Sequence, residues 1–385
     1  MSPDRRQFLR IAGVAGVAGV AGCTSGGGGG DGESGGSNGS GGNTSGSGNG
    51  SGGGGSGGSG SGSNANIGMV YAKGGLGDKS FNDMAHRGVE RAKQELGVSY
   101  NEAQPEQNSD FPTFQRRYAQ STSPNYDLVS CIGFAQVSAL TDVAPNFPDQ
   151  KFMLVDGVVE ESNVANYVFK EEQGSFQIGH LAGLLTTEKL SAGGGKTNPE
   201  NAKLGFVGGE EAPLIQKFQA GFEKGVQYAN EDASVNVAYT GSFADPGAGK
   251  EAALSMYNDG ADIVYHAAGA TGIGVFQAAS EQNRYALGVD ADQSKSQPKF
   301  ANVILASMVK QVDNAVFSSI ESVVNGNFEG GGTKTLGLEK DGVEVVYGKQ
   351  LGSAIPKEVK QALKESRKKI VSGEISVPQK PGSGK

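Results

Sequence analysis

Apolar runs of strand length alternate with segments of helical spacing through most of this sequence. The first run, 67–71, is followed by a glycine turn and then by apolar residues at helical spacing between 82 and 96. Further runs of the same kind lie at 128–132, 151–155, 203–207, 234–239, 263–265, 285–289 and 302–305. Because strands that alternate with helices form parallel sheets covered by helices, the pattern predicts an α/β fold.

The opening strand, turn and helix have an echo in the middle of the chain. The run 204–207 is followed by Gly208-Gly209 and a helical segment at 212–228. The echo predicts two similar Rossmann-like lobes with a ligand cleft between them, since ligands of open parallel sheets bind beyond the carboxyl ends of the strands. The alternation breaks at the expected crossings between lobes, near 166–172, 288–293 and 325–335. The predicted boundaries are about 66–168 and 293–327 for lobe 1, and about 172–288 and 332–375 for lobe 2.

The first 23 residues have the order of an export signal. The paired arginines Arg5 and Arg6 precede a short apolar run at 11–21, and Cys23 follows Val-Ala-Gly. A membrane-spanning helix is the alternative, but it needs about 20 apolar residues, and the run is shorter and diluted by glycine. The end of the run resembles the lipobox of bacterial and archaeal lipoproteins. We therefore expect residues 1–23 to be a twin-arginine lipoprotein signal that leaves the mature chain lipidated at Cys23 and anchored outside the cytoplasmic membrane.

Residues 24–63 are almost wholly Gly, Ser, Asn and Thr. Such a composition cannot bury enough apolar surface to offset the entropy of ordering, so it predicts a disordered tether. With about 40 residues of glycine-rich coil, the root-mean-square reach is about 35 Å. Leader and tether carry equal numbers of acidic and basic residues, so the formal net charge of −8 belongs to residues 64–385, the predicted folded domain. An acidic domain argues against a nucleic-acid partner.

Cysteine and histidine give no sign of a metal or catalytic site. Cys131 lies in an apolar run and is expected to be a small buried hydrophobe. His86, His180 and His266 fall in separate predicted segments, without HExxH or paired-cysteine spacing. No predicted strand end carries the Gly-x-Ser-x-Gly turn of a serine hydrolase. The sequence therefore predicts a binding protein rather than an enzyme, with no metal, no cofactor and no catalytic residue.

The glycine-rich stretch GGLGDKSFND, at 74–83, could be a phosphate cradle or a turn that presents side chains to another ligand. In a phosphate-binding loop, lysine directly follows the last glycine, so that backbone N–H groups and the ammonium converge on the same phosphates. Here an aspartate separates Gly77 from Lys79 and would place a negative charge where phosphate should lie. The spacing therefore favours a turn that presents Phe81 and Asn82.

Several of the predicted strand-end loops carry motifs of a known family. They are, in chain order along residues 66–350, GDKSFND, GFVGG, YTGSFADPGAGKEAALSMYNDGADIVYHAAGATGIGVFQAA, LGVDADQ and SMVKQVDNAV. As a set they resemble the basic membrane protein family, whose best-understood members resemble purine-nucleoside receptor lipoproteins of ABC transporters. The resemblance implies a type I periplasmic-binding-protein fold. It also implies an extracytoplasmic lipoprotein that captures a nucleoside, of the purine type, and delivers it to the permease of an ABC importer.

Two phenylalanines are the candidates to stack on a nucleoside base. Phe81 and Phe243 follow strand ends in opposite predicted lobes, where they could close on the two faces of the ring. Stacking of this kind is worth about 1–3 kcal/mol per base. Core packing is the alternative for either phenylalanine. Asn82 could hydrogen-bond the edge of the base through its amide, or cap the helix that begins beside it.

Three further residues are candidates for contact with the ligand, two of them at its sugar. Asp290 directly follows the apolar run 287–289, where a carboxylate can accept charge-assisted hydrogen bonds from sugar hydroxyls. Lys310 could donate to the sugar or neutralise Asp290, or the two could only form an ion pair across a hinge. Gly269 begins a Gly-x-x-Gly-x-Gly run whose spacing does not match a dinucleotide fingerprint, and close backbone approach to a ligand suits it better.

One position departs from the family pattern. Ala72 stands where family members often have an acidic residue that reads the base, so the base preference stays open. The alternative ligand is a sugar, an autoinducer or another small polar molecule, because this fold serves many ligands and aromatic stacking also suits sugars.

Overall fold

The computed structural model describes residues 64–382. The predicted export signal, the tether and the lipidation site Cys23 lie outside the described residues. Within the described range, no helix is both long enough and apolar enough to cross a membrane.

Strands and helices alternate along the described chain, and each apolar run singled out above overlaps a strand. The strands are β1 (Asn66–Val70), β2 (Ser99–Ala103), β3 (Leu128–Ile132), β4 (Phe152–Val155), β5 (Val164–Phe169), β6 (Ser191–Ala192), β7 (Gly195–Lys196), β8 (Lys203–Gly208), β9 (Ser234–Tyr239), β10 (Ile263–Ala267), β11 (Tyr285–Asp290), β12 (Ile304–Lys310), β13 (Thr333–Leu336) and β14 (Val343–Tyr347). The helices are α1 (Phe81–Leu96), α2 (Phe111–Ala119), α3 (Val137–Val143), α4 (Glu171–Leu185), α5 (Pro213–Ala229), α6 (Pro246–Asn258), α7 (Gly272–Gln282), α8 (Gln293–Ser296), α9 (Val312–Val324) and α10 (Lys357–Val371).

Two six-stranded sheets form the two lobes. The first has the order β13-β5-β4-β3-β1-β2 and the second β14-β12-β11-β10-β8-β9. All neighbours are parallel except β12 and β14, which are antiparallel. The orders match strand for strand, with β1 corresponding to β8 and β4 to β11. The predicted α/β fold with two similar Rossmann-like lobes is therefore confirmed.

The structure corrects the predicted return of the chain from lobe 2 to lobe 1. Both β11 and β12 belong to the second sheet, so the crossing expected near 288–293 is wrong and the chain instead returns at Gln311. The segment 293–310, predicted in lobe 1, lies in lobe 2. The reason is that β11 and β12 are joined by the short α8 and a 3-10 turn instead of a full helix, which breaks the alternation without a crossing.

The last crossing also lies later than predicted. Strand β13 pairs with β5 in the first sheet, so the assignment of residues 333–336 to lobe 2 is wrong. The chain enters lobe 2 for the last time between β13 and β14, at 337–342. The strand escaped detection because it is a polar edge strand that is mostly exposed. The first crossing lies between β5 and α4, at Lys170.

Helices cover both faces of each sheet, so the central strands are buried throughout. All five residues of β3, including Cys131, are buried. In lobe 2, α4 and α5 pack backbone to backbone, and a Cβ added at Gly221 or Gly225 would overlap carbonyl oxygens of α4. This close packing fixes the first turn of α4, which begins at Glu171 beside the cleft.

Candidate ligand-binding site

A cavity lies between the lobes at the carboxyl ends of the strands. Lobe 1 contributes residues that follow β1, β3 and β4, and lobe 2 contributes residues around the ends of β8 to β12. The residues that the sequence singled out in the folded domain all line this cavity: Phe81, Asn82, Phe243, Gly269, Asp290 and Lys310.

Aromatic rings line the cavity from both lobes. Phe81 begins α1 in lobe 1, and Phe243 lies in the loop after β9 in lobe 2; each is only partly buried, so neither is a fully packed core residue. The ring of Phe243 lies against Gly209, where an added Cβ would collide with it. Its centroid is 6.4 Å from that of Phe134 in lobe 1, at an interplanar angle of 73°. Aromatic surface is therefore presented to the cavity from two sides.

Gly269 supports the loop that carries Phe243. Its φ is 55°, in the left-handed region that favours glycine. A Cβ at this position would lie 3.1 Å from the carbonyl oxygen of Phe243. The backbone of Gly269 thus closely approaches the backbone of Phe243, whereas the sequence suggested a close approach to a ligand.

The side chain of Asn82 forms hydrogen bonds with the backbone of the loop after β1. Its Oδ1 accepts from the backbone N–H of Ala72 at 3.0 Å, and its Nδ2 donates to the Ala72 carbonyl at 3.3 Å. The helix-capping role considered for Asn82 is wrong, because Asp78 accepts from the backbone N–H groups of Ser80, Asn82 and Asp83 at the start of α1. Burial raises the pKa of Asp78 to about 6, although these hydrogen bonds oppose the shift. Asn82 keeps one N–H and one lone pair for a ligand.

Lys310 lies at the centre of a buried charge cluster beside the hinge. The side chain is 1 % exposed, and its Nζ lies 2.6 Å from Asp156 Oδ2 and 3.0 Å from Glu171 Oε1. Nζ is also 5.2 Å from the ring centroid of Phe81. Burial disfavours the ammonium, but the carboxylates of Asp156, Glu171 and Asp290 outweigh it and raise the pKa of Lys310. The ion pair with Asp290 considered from the sequence is therefore replaced by pairs with two other carboxylates.

Asp156 and Asp290 occupy equivalent positions in the two lobes. Asp156 directly follows β4 and Asp290 ends β11, and both have left-handed φ values, 68° and 61°. Asp290 Oδ2 accepts from the Ser80 hydroxyl at 2.5 Å, whereas Asp156 Oδ1 is buried without a hydrogen-bond partner among residues 64–382. Burial raises the pKa of Asp156 to about 6 and that of Asp290 to about 7, against the attraction of Lys310. Both carboxyls are suited to accept hydrogen bonds from hydroxyl groups.

Contacts between the lobes surround the cavity. Lys73 Nζ of lobe 1 lies 2.7 Å from Glu210 Oε1 of lobe 2, and both residues line the cavity while staying about a quarter to a third exposed. Elsewhere, the Lys79 carbonyl accepts from Gln293 Nε2 and Ser296 Oγ of α8. These contacts must break when the lobes separate, so the structure represents a closed cleft.

Sequence reasoning did not assign roles to several residues of the cavity wall. Asp156 was detectable, because VDG after β4 mirrors VDA at the end of β11. The ion pair of Lys73 with Glu210 and the contact of Lys310 with Glu171 had no local signal, since the partners are 137 and 139 residues apart and meet only through the fold.

Two Rossmann-like lobes that close over a cavity with aromatic and charged walls define a type I periplasmic-binding protein. A family model described as PnrA-like ABC transporter substrate-binding protein, Bmp, matches residues 65–381. The chain belongs to this family, and the resemblance to basic membrane proteins is confirmed. A substrate-binding protein of an ABC transporter has a small-molecule ligand and a membrane permease as its partners.

Individual relatives agree with the family assignment. The chain is 34% identical to an uncharacterized lipoprotein of Pyrococcus abyssi, over 79% of this chain and 78% of the relative. It is 32% identical to the ABC transporter nucleoside-binding protein BmpA of Lactococcus lactis, over 80% and 87% of the two chains. A crystal structure of an ABC transporter solute-binding protein from Aeropyrum pernix superposes with a TM-score of 0.73 at 30% identity, covering 82% of this chain and 94% of that one.

Proposed function

We propose that this protein is an extracytoplasmic, lipid-anchored receptor that captures a purine nucleoside and delivers it to an ABC transporter permease. The observation that carries the proposal is the pairing of two chemistries in one closed cavity. Aromatic rings line the cavity from opposite lobes and suit a planar apolar group, and buried carboxylates beside an ammonium also line it and suit hydroxyls. A nucleoside has both parts, and one relative is named as a nucleoside-binding protein.

The base is assigned to the aromatic part of the cavity. Phe81 and Phe243 belong to different lobes, so their rings contact the two faces of a base only when the lobes close over it. Because each ring is partly exposed to the cavity, stacking buries apolar surface of both ligand and protein. Closure is thereby coupled to the presence of a base.

The ribose is assigned to the charged part of the cavity. Asp290 accepts from the ribose hydroxyls, and Lys310, which donates one hydrogen bond to Asp156 Oδ2 at 2.6 Å, donates a remaining N–H to the ribose. Asp156 Oδ1, which has no partner among the described residues, is a further acceptor at this end. Hydrogen bonds of this charged type contribute about 1.5–3 kcal/mol each.

Titration calorimetry with a small ligand panel tests the proposal. We expect purine nucleosides to bind tightly, the free bases and ribose to bind more weakly, and a pyranose to bind least. The order follows because only a nucleoside fills both parts of the cavity. A pyranose that binds more tightly than every nucleoside would favour the sugar-receptor alternative.

Replacing Phe81 with alanine is expected to weaken the binding of nucleosides and of free bases to a similar extent. The loss should be about 1–3 kcal/mol, or roughly 5- to 150-fold in Kd, because one stacking face is removed. Phe147→Ala is the matched control, since Phe147 is also partly buried in lobe 1 but lies away from the cavity. Equal affinities for Phe81→Ala and the parent protein in calorimetry would assign Phe81 to packing only.

Cys23→Ala is expected to release the protein from the membrane. The lipid proposed on Cys23 is the anchor, and the described residues include no helix that could span a bilayer. Membrane fractionation with a carbonate wash measures the result. Cys131→Ala, which alters the buried cysteine of β3, should stay in the membrane fraction. Retention of Cys23→Ala in that fraction would refute the anchor.

A further inference from the structure

The ion pair between Lys73 and Glu210 lies beside the supports of both stacking rings. Glu210 directly follows Gly209, against which the Phe243 ring lies. Lys73 directly follows Ala72, and a Cβ added at Gly133 would lie 3.1 Å from the Ala72 Cβ and 3.5 Å from Phe81 Cε1. The pair therefore joins the two lobes next to the rings on which a base is proposed to stack.

The Lys73–Glu210 ion pair is more exposed to solvent than the charge cluster around Lys310. The side chains of Lys73 and Glu210 are 27% and 32% exposed, whereas those of Lys310 and Glu171 are 1% and 0% exposed. The cluster therefore forms the inner end of the cavity, beside the hinge, and the Lys73–Glu210 pair forms the outer end. A nucleoside with its ribose at the inner end presents the far edge of its base to the outer end.

We propose that Lys73 and Glu210 select the base, and that together they favour a 2-amino-6-oxopurine nucleoside. The inference rests on the proposed nucleoside function and names the substrate within it. Ala72 lines the cavity but has no polar side chain with which to bind a base. The charged groups of the outer wall supply that recognition.

The hydrogen-bonding pattern of the pair matches one type of purine edge. Lys73 Nζ, Glu210 Oε1 and Glu210 Oε2 offer a donor followed by two acceptors, and the 2.7 Å ion pair holds the first two together. A 2-amino-6-oxopurine offers the complementary acceptor, donor and donor at O6, N1–H and the 2-amino group. The ion pair need not break, because Nζ keeps further N–H groups and Oε2 has no other hydrogen bond among residues 64–382.

Other bases satisfy less of this pattern. A 6-oxopurine without the 2-amino group leaves Oε2 without a ligand donor. Adenine offers one donor and one acceptor on the same edge and has no third polar group at C2. Two parallel hydrogen bonds to one carboxylate add geometric selectivity as well as affinity. The order of affinity should therefore be guanosine, then inosine, then adenosine.

Calorimetry with guanosine, inosine and adenosine tests the inference on the parent protein, Glu210→Gln and Glu211→Gln. Glu211→Gln is the matched control, because it removes the same charge from the next residue, which is exposed. We expect the parent to prefer guanosine over adenosine by roughly tenfold to a hundredfold, as for a bidentate base contact. Glu210→Gln should lose most of this preference by weakening guanosine selectively, and Glu211→Gln should keep it.

The outcomes separate the inference from the proposed function. Nucleosides that bind without a preference for guanosine, or a preference that persists in Glu210→Gln, would overturn the base-reading role and leave the nucleoside receptor intact. Failure of all three nucleosides to bind the parent would overturn the nucleoside function itself and this inference with it.

Discussion

Replacing Lys310 with methionine should destabilise the protein by about 3–5 kcal/mol, the cost of leaving buried carboxylates without their partner. Asp156 and Glu171 both contact the Lys310 ammonium, and neither is accessible enough for water to replace it. Lys250→Met is the control, because Lys250 lies 2.7 Å from Glu281 but the pair is a third to a half exposed. Exposed pairs of this kind contribute about 0.2–1 kcal/mol.

The pH dependence of the Lys310→Met effect follows from the carboxyls that remain. Burial already raises the pKa of Asp156 to about 6 with Lys310 present, and loss of the ammonium raises it further. A carboxyl with a raised pKa in the folded state costs stability above that pKa and none below its unfolded value. Urea unfolding should therefore show a larger loss at pH 8 than at pH 5. The buried cluster would be contradicted if Lys310→Met and Lys250→Met lost the same free energy of unfolding and neither loss depended on pH.

Asp290→Asn should weaken nucleoside binding by roughly ten- to a hundredfold, because charge-assisted hydrogen bonds to ribose contribute about 1.5–3 kcal/mol. Asparagine is the appropriate replacement, since the φ of Asp290 is 61° and asparagine tolerates the left-handed region better than alanine. A 2′,3′-dideoxynucleoside should bind the parent protein comparably weakly. Asp290→Asn should therefore bind the nucleoside and its 2′,3′-dideoxy analogue with similar affinity, because the substitution and the missing hydroxyls remove the same hydrogen bonds.

Stability and pH distinguish this binding role from a structural one. Burial raises the pKa of Asp290 to about 7, so its ionisation at pH 8 costs folding free energy that a neutral asparagine avoids. The urea midpoint of Asp290→Asn at pH 8 should then be unchanged or higher. Ribose hydroxyls favour the ionised carboxyl, so the affinity of the parent should rise between pH 5 and 8, and less steeply in Asp290→Asn. A variant that unfolds more easily but binds nucleosides as tightly as the parent would make Asp290 structural.

The carboxyl ends of strands could be predicted well because they depend on local patterns. Asp290 ends β11, Phe81 follows the loop after β1 and Phe243 lies in the loop after β9, and parallel sheets place all such strand ends along one edge. The general location of the cavity therefore follows from the sequence. Local patterns did not predict β13, because an exposed edge strand has no apolar run. They also predicted a crossing between lobes at α8, where a short connection interrupts the alternation of strands and helices within lobe 2.

The partners of the charged residues could not be predicted, because they are set by how the lobes close. Lys310 was expected near Asp290, yet its ammonium pairs with Asp156 of the other lobe and with Glu171 after the hinge. Asn82 lies where the sequence placed it, but its amide binds the backbone of Ala72, which only the folded loop brings within reach. Contacts across a cleft produce no periodic pattern in the sequence from which they could be predicted.

Mass spectrometry of the ligand that co-purifies with the protein, released by denaturation, tests the nucleoside assignment most directly. A closed cleft with buried polar walls should retain its ligand through purification, and the released molecule should have the mass and fragmentation of a purine nucleoside. Addition of that compound to the stripped protein should restore stoichiometric binding. Release of a pyranose, or of any other molecule without a base, would contradict the assignment.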